Sequence, residues 1–520
     1  MAMSGTLASP EVTIEDFLTR GYFPDRVIPP VNSLSIQQAI PELLAYAANR
    51  AKETLKLTQE PGIPRSRPVI HSVPKRKHLR RLLSIPNPLI HSILATEIVA
   101  DWETLVAHFA KSPLSLSSPI PSSTRAVEST VKLNDQAEYR ARRSVGARYL
   151  LKADIAAFYP SIYTHSIPWA LHTKAQARAD KKYNLPGNRL DLWVRESQDK
   201  QTHGIPIGPD TSTVIGELIG TAIDASLVSK FPSLRGTRSI DDYHLYFATL
   251  SEAETAIAAL HEAAREFDLA INDVKTEIVP LPDPLEPRWK SDLRGLEIRD
   301  AAGPQSTDLL TLFDRAFEYS RQFPTDSVLT YAAKQTLSAE IVEANWPFCE
   351  ALLLKAALTE PTMISVLSEI YLKYGTFHKD SSQLSMLINN LCSYHAPLQQ
   401  GNEVSWALWL AKQMNIAIPK SVGDKVARLD DDIVALISLD LSEQGLFTSS
   451  GFTRWRIHMN ATELYDNHWL LAYEGLEHGW LPPTNGTDYV ANDEFFSMLR
   501  SNGVRFYGEG VAPTSSFFPY

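Results

Sequence analysis

The sequence predicts an α+β fold over residues 61–295 and an all-α fold over 306–520, preceded by a helical extension at 1–60. Three observations carry that division. Two apolar segments of strand length, 149–153 and 243–247, each adjoin aspartate, Asp154 on one and Asp241-Asp242 on the other. Aromatic-rich runs this short suit half-buried strands. Between them Val214, Ile215, Leu218, Ile219, Ala222 and Ile223 recur at the period of a packed helix. Beyond 306, seven segments (308–319, 327–344, 347–358, 362–374, 383–392, 404–413 and 433–441) have helical apolar spacing and short polar or proline-containing links. Irregular helix pairs of this size suggest a HEAT-like α-repeat, although no clean sequence period is present.

The elements follow in order. Residues 1–60 read as helices interrupted by Gly21-Tyr22-Phe23-Pro24 and by Pro29-Pro30. Prolines recur from Pro61 to Pro88, so the stretch 71–88 reads as a basic hairpin leading into an extended strand. Residues 89–109 carry helical spacing, and the Ser/Pro-rich interval 111–124 reads as a loop. A capping box at Ser251–Glu254 opens a helix through Phe267, and the prolines of 280–287 break the chain. Asp430-Asp431-Asp432 reads as a solvated turn before a helix, and Trp406, Trp409 and Trp469 as core residues. The tail 505–520 is Gly/Ser/Pro-punctuated and ends in Phe-Phe-Pro-Tyr520.

At 520 residues the chain has room for two or three domains. Two cysteines, Cys349 and Cys392, exclude a disulfide framework or a cysteine metal cluster and make a reducing cytoplasm the simplest location. No apolar run reads as a membrane span, and the N-terminus lacks the layout of a signal peptide. The net charge of −10 conceals two basic clusters. Arg65, Arg67, Lys75, Arg76, Lys77, Arg80 and Arg81 fall in a stretch without any acid, and Arg140, Arg142, Arg143, Arg148 and Lys152 lead into Asp154. Local patches of this kind set phosphate affinity, whereas the total does not.

Asp241 and Asp242 are adjacent between strand-like flanks. Neighbours in a strand point to opposite faces, but at a tight hairpin tip both carboxylates can reach one cation. Such a pair also occurs as a solvated turn. With Asp154 as a third acid, the expected occupant is Mg²⁺, with Mn²⁺ as the alternative ion.

Tyr149-Leu-Leu-Lys-Ala-Asp154-Ile-Ala-Ala-Phe158-Tyr159 and Ile240-Asp241-Asp242-Tyr243 resemble motifs A and C of a right-hand polymerase palm in its reverse-transcriptase form. Gln201-Thr-His-Gly204-Ile-Pro-Ile-Gly208-Pro-Asp210 resembles motif B, and Asn272-Asp-Val-Lys275-Thr-Glu277 motif D. The continuation Tyr159-Pro-Ser-Ile-Tyr163-Thr-His-Ser-Ile-Pro-Trp169-Ala, with Gly187-Asn-Arg-Leu-Asp191 and His468-Trp-Leu-Leu-Ala-Tyr-Glu474, is similar to bacterial abortive-infection, defence-associated reverse transcriptases of the AbiK type.

The resemblance implies palm and fingers at 61–295, with the helical region in place of a thumb. It implies two Mg²⁺ ions about 3.5–4 Å apart, held by Asp154, Asp241, Asp242 and the Ile155 carbonyl. Lys75, Arg76, Lys77, Arg80 and Arg81 would lie on nucleic acid. Arg140, Arg142 or Arg143 would hold the triphosphate, without a stated division of labour. Tyr159 would exclude a ribose 2′-hydroxyl, or else be a core aromatic. Gly204 and Gly208 would let backbone approach nucleotide and template. Lys275 would act as general acid to pyrophosphate or pair with phosphate. Ile207 and Ser239 stand where the family has Gln and Tyr, which puts templated copying in question.

The implied activity is dNTP polymerisation into DNA, RNA-directed or untemplated, in defence against phage. Tyr520 is a candidate protein primer, a non-coding RNA a candidate partner, and a homo-oligomer the expected assembly. The competing readings are a vestigial nucleic-acid-binding scaffold and an ordinary RNA-templated reverse transcriptase.

Overall fold

The computed structural model describes residues 11–55, 63–76, 79–180 and 182–508. Lys77 and Tyr520 lie outside the described residues, as does the side chain of Arg76. The architecture is α+β.

Strands β1 (Val69–Arg76) and β2 (Leu79–Ile85) form the expected basic hairpin. Helix α1 (Pro88–Ala100) follows at once, because Asn87 accepts a bond from the Leu89 amide (3.0 Å) and Pro88 occupies the first turn, where no amide is needed. Inside the stretch read as a loop lies β3 (Pro119–Pro121), which pairs with β4 (Val127–Ser129) just beyond it. Three residues per strand fall below any periodicity signal.

Helix α2 (Gln136–Ser144) leads into β5 (Tyr149–Asp154). The long helix α3 (Asp210–Lys230) precedes β6 (Arg235–Ser239) and β7 (Asp242–Phe247), and α4 (Leu250–Arg265) connects β7 to β8 (Glu277–Pro280). The capping box of α4 is Thr249 with Glu252, two residues before the expected one. Glu252 reaches back only from the third helical position, and that position is counted from Thr249.

The four strands form one antiparallel sheet in the order β6-β7-β5-β8. Leu151 and Ala153 of β5, with Tyr243, Leu245 and Phe247 of β7, are buried. They share one face of the sheet, while Lys152, Asp154, Asp242 and His244 share the other. Helix α3 is apolar and long enough to cross a membrane by length and composition, contrary to expectation, but 78% of its apolar window is buried inside the protein. It is the central helix of this core.

The seven helices anticipated in the second half all form, from Ala302–Gln322 to Asp432–Glu443. Alternate helices pack on one another: Ala302–Gln322, Trp346–Thr359 and Ser382–His395 form one row, and Val328–Ser338, Ile364–Tyr374, Gly401–Gln413 and Asp432–Glu443 another. The last two of the second row pack on β1. Trp406 donates to the Arg26 carbonyl (3.1 Å) and Trp469 to the Ile85 carbonyl (3.0 Å), so both are core residues that tie the halves together. Val31 bridges Tyr507, which brings the C-terminal segment against the N-terminal one. A single continuous apolar core spans all three segments.

The run Asp430-Asp431-Asp432 is not a solvated turn. Asp431 and Asp432 are buried. Asp431 caps the helix Asp432–Glu443 through the Ile433 and Val434 amides and meets His71 Nδ1 of β1 at 2.7 Å. Asp432 meets His468 Nδ1 at 2.6 Å and accepts from the Leu471 amide. Consecutive acids carry no mark of partners that lie far away in sequence.

Candidate active site

Three carboxylates converge at one end of the sheet. In the β5–β7 ladder Asp154 is the direct partner of Asp242. The Ile155 amide donates to the Asp241 carbonyl (3.1 Å), which draws the tip of the β6–β7 hairpin onto the end of β5. Asp154, Asp241 and Asp242 each offer an oxygen, and the three lie within 4.8 Å of one another. Beyond Asp154 the ladder continues through Asn272 N to Asp154 O (2.7 Å) and Ala156 N to Ala270 O (2.8 Å), which leaves the Ile155 carbonyl outside it.

Burial and neighbouring acids hold the Asp241 and Asp242 carboxyls above the ordinary range. Burial, and then the charge of Asp154, raises the Asp241 carboxyl above its ordinary range. Burial, and then Asp241 and Asp154, raises Asp242 to about 6. Asp154 accepts from Lys275 Nζ on one oxygen (2.5 Å) and from Asn272 Nδ2 on the other (3.1 Å). Lys275 therefore sits among the acids, where its ammonium offsets part of their charge. Three acids in oxygen-ligand range with one ammonium between them are a donor set suited to a hard divalent cation.

The hairpin is held by a device that the sequence did not reveal. Arg238, the penultimate residue of β6, is fully buried. It donates to Glu217 Oε1 (2.7 Å) and Oε2 (3.0 Å), to Asp224 Oδ2 (2.8 Å) and to the Ile240 carbonyl (2.9 Å). Tyr243 donates to Asp224 (2.9 Å), and Ser117 both donates to Glu217 (3.1 Å) and accepts from the Ile240 amide (2.8 Å). A Cβ at Gly220 would come within 2.7 Å of the Arg238 guanidinium, so α3 carries glycine where the arginine crosses it. The available signal was Glu217 and Asp224, two turns apart on an otherwise apolar helix.

Clamped in this way, Ile240 adopts φ +58°, a left-handed conformation that costs a β-branched residue about 1–2 kcal/mol. Ile240→Asn is expected to stabilise the chain by about 1 kcal/mol, read as a higher denaturant midpoint, because asparagine tolerates this conformation.

Tyr159 lies beside the acids. Burial, and then Asp241, raises its hydroxyl well above the ordinary range. Its ring packs on α3 at Gly216, where a Cβ would lie 3.3 Å from the Tyr159 oxygen. Arg81 is near enough to act on the same hydroxyl, and Lys75 near enough to act on Asp241. Arg140 bonds Gln136 (3.2 Å), and its Nε has no partner. It lines a cavity of about 770 Å³ with Lys152, His244, Tyr246 and Asp283, on the same sheet face as Asp154 and Asp242. Burial, and then Arg140 and Lys152, lowers His244 to about 4, so this histidine is neutral.

Other expected residues are used elsewhere. Arg80 pairs with buried Glu403 (2.7 Å to Oε2) and with Ser72, so this arginine ties the hairpin to the helical stack. Arg142 is exposed and pairs with Glu138 one turn away. Arg143 is half-buried on the same helix. Gly204 (φ +79°) and Gly208 (φ +131°) are required by the protein itself. A Cβ would meet the Pro160 carbonyl at 3.1 Å in the first case and Pro24 at 2.5 Å in the second.

No family model matches the chain, and no curated protein matches it. Solved structures do: apo telomerase from Candida tropicalis (9% identity, TM-score 0.33, covering 67% of this chain and 72% of that one) and telomerase from Candida albicans with a fragment of telomeric RNA (12%, 0.29, 68% and 68%). The Candida tropicalis enzyme with the RNA fragment matches at 11% identity and a TM-score of 0.30, covering 76% of this chain and 67% of that one. Likenesses this distant say nothing of what this chain does.

Proposed function

We propose that the chain is a nucleotidyltransferase that polymerises dNTPs into DNA. The observation that carries this reading is the convergence of Asp154, Asp241 and Asp242, whose oxygens lie within 4.8 Å of one another at one end of the sheet. Asp154, Asp241 and Asp242 would hold Mg²⁺ or Mn²⁺, with the Ile155 carbonyl within the same turn of chain. When bound, such ions lower the pKa of an attacking hydroxyl and offset charge on the triphosphate.

The chain's own contributions are positional. The Arg238 network holds the hairpin, so the acids are preorganised before substrate arrives. Arg140 brings a guanidinium to the cavity near Asp242, where its fork can take two phosphate oxygens, while Lys152 is paired with Glu277 and Asp283. Tyr159 stands beside the acids as a steric limit on the sugar, and Tyr159→Ala is expected to admit ribonucleotides that the parent rejects. Lys275, paired with Asp154, would serve the phosphates as a proton donor. Lys275→Ala is expected to lower kcat about 10²-fold while dNTP binding changes little.

By the motif resemblance, the setting is defence against phage, with Tyr520 as a protein primer, a non-coding RNA as a partner and a homo-oligomer as the assembly. Purified protein incubated with Mg²⁺ and each dNTP separately, with and without an RNA template, tests the reading. Incorporation abolished in Asp241→Asn supports it, and no incorporation by the parent under any of these conditions overturns it. Protease sensitivity of the product reports a protein primer.

A further inference from the structure

A second cluster of ligand atoms lies in the helical half, where Asp430, His458 and His468 bring one donor atom each to within 4.8 Å of one another. His458 follows the helical turn Thr453–Arg456, and His468 immediately precedes the helix Trp469–Glu477. Asp430 precedes the helix Asp432–Glu443, so three separate parts of the chain end at one point.

Each ring is oriented from behind. His458 Nδ1 meets Glu463 Oε1 at 3.1 Å, and His468 Nδ1 meets Asp432 Oδ1 at 2.6 Å. A carboxylate on Nδ1 fixes the proton there and turns the Nε2 lone pair forward, which is the outer-shell arrangement of metal-bound histidine. Both Nε2 atoms face the same oxygen, Asp430 Oδ1, at 3.9 Å from His458 and 3.7 Å from His468. Asn467 Nδ2 stands 3.2 Å from His468 Nε2, a contact that a bound ion would replace.

The far oxygen of Asp430 is held by Arg454 at 3.1 Å, which leaves Oδ1 directed at the rings. Three carboxylates (Asp430, Asp432 and Glu463) thus surround the two imidazoles, with one guanidinium beside them. The ring centroids are 3.7 Å apart.

We propose that Asp430, His458 and His468 form a Zn²⁺ site. Two nitrogens and one oxygen suit this ion, whose neighbouring tetrahedral ligand atoms stand about 3.3–3.5 Å apart, so Asp430 Oδ1 needs to close on each nitrogen by a few tenths of an ångström. Asp430 is 39% exposed, which opens the fourth position to water. The ion would tie the turn at Asp430 to the chain around His458 and His468. It thereby braces the neighbouring Asp431, which holds His71 of the basic hairpin.

The full-length protein, stripped with a chelator, is loaded with Zn²⁺ and passed through gel filtration, and bound zinc is counted. Co²⁺ loading is followed by visible absorption. We expect one Zn²⁺ retained per chain, a four-coordinate Co²⁺ spectrum and a zinc-dependent rise in melting temperature. All three should be lost in His458→Ala and in Asp430→Asn, and kept in Asp241→Asn. Asp430→Asn changes a part-exposed residue by one atom, so it reports even if His458→Ala does not fold. No retained zinc in the parent, equal retention in Asp430→Asn, or loss in Asp241→Asn overturns the proposal.

Discussion

Asp241→Asn is expected to lower dNTP incorporation by about 10³-fold or more while raising the stability of the metal-free protein. Removing one of three clustered charges forfeits several kcal/mol of transition-state stabilisation, and each 1.4 kcal/mol is about a factor of ten. The same change relieves repulsion, because Asp154 raises Asp241, and Asp241 raises Asp242, on top of their burial. A pH dependence follows. Asp242, raised to about 6, binds a proton more readily in the folded chain than in the unfolded one. Its contribution is therefore present below the ordinary carboxyl range and is lost as pH rises through about 6. Melting of the metal-free parent should weaken over that interval, and the gain on adding Mg²⁺ should grow over it. Asp241→Asn should flatten both trends. Equal Mg²⁺ gains at pH 5 and pH 7.5, in parent and variant alike, would count against a cation among these acids.

Arg238→Met should cost the most stability of any single change near the site, about 3–5 kcal/mol by denaturant midpoint. The guanidinium is fully buried and serves Glu217, Asp224 and the Ile240 carbonyl together. Its removal strands two buried carboxylates. Combining Arg238→Met with Glu217→Gln and Asp224→Asn should recover much of the loss, since the stranded charges are then absent. Activity should not return with stability, because Ile240 still lacks the bond that holds its strained conformation and with it the neighbouring Asp241. Recovery of both together would make the network a matter of folding alone.

The strands beside Asp154 and Asp242, helix α3 and the seven later helices were legible in the chain, because each is longer than one period of its own apolar pattern. The hairpin β3–β4 was not, since three residues per strand carry no period. Charged residues were legible as types and not as partnerships. Arg80 and Lys75 are alike in a basic run, yet Arg80 is spent on Glu403 and Lys75 stays exposed near Asp241. Gly204 and Gly208 were legible as glycines, but their neighbours are Pro160 and Pro24.

Local chemistry along the chain determined which segments become strands and helices, and that three acids terminate two of those strands, because side-chain periodicity and turn residues act over a few positions. Tertiary structure alone decided that Asp154 stands opposite Asp242, that Arg238 is buried between Glu217 and Asp224, and that Asp431 and Asp432 grip His71 and His468. These pairings join residues 14 to 360 positions apart, and ion pairs are selected by distance in space, which a linear order of residues does not encode.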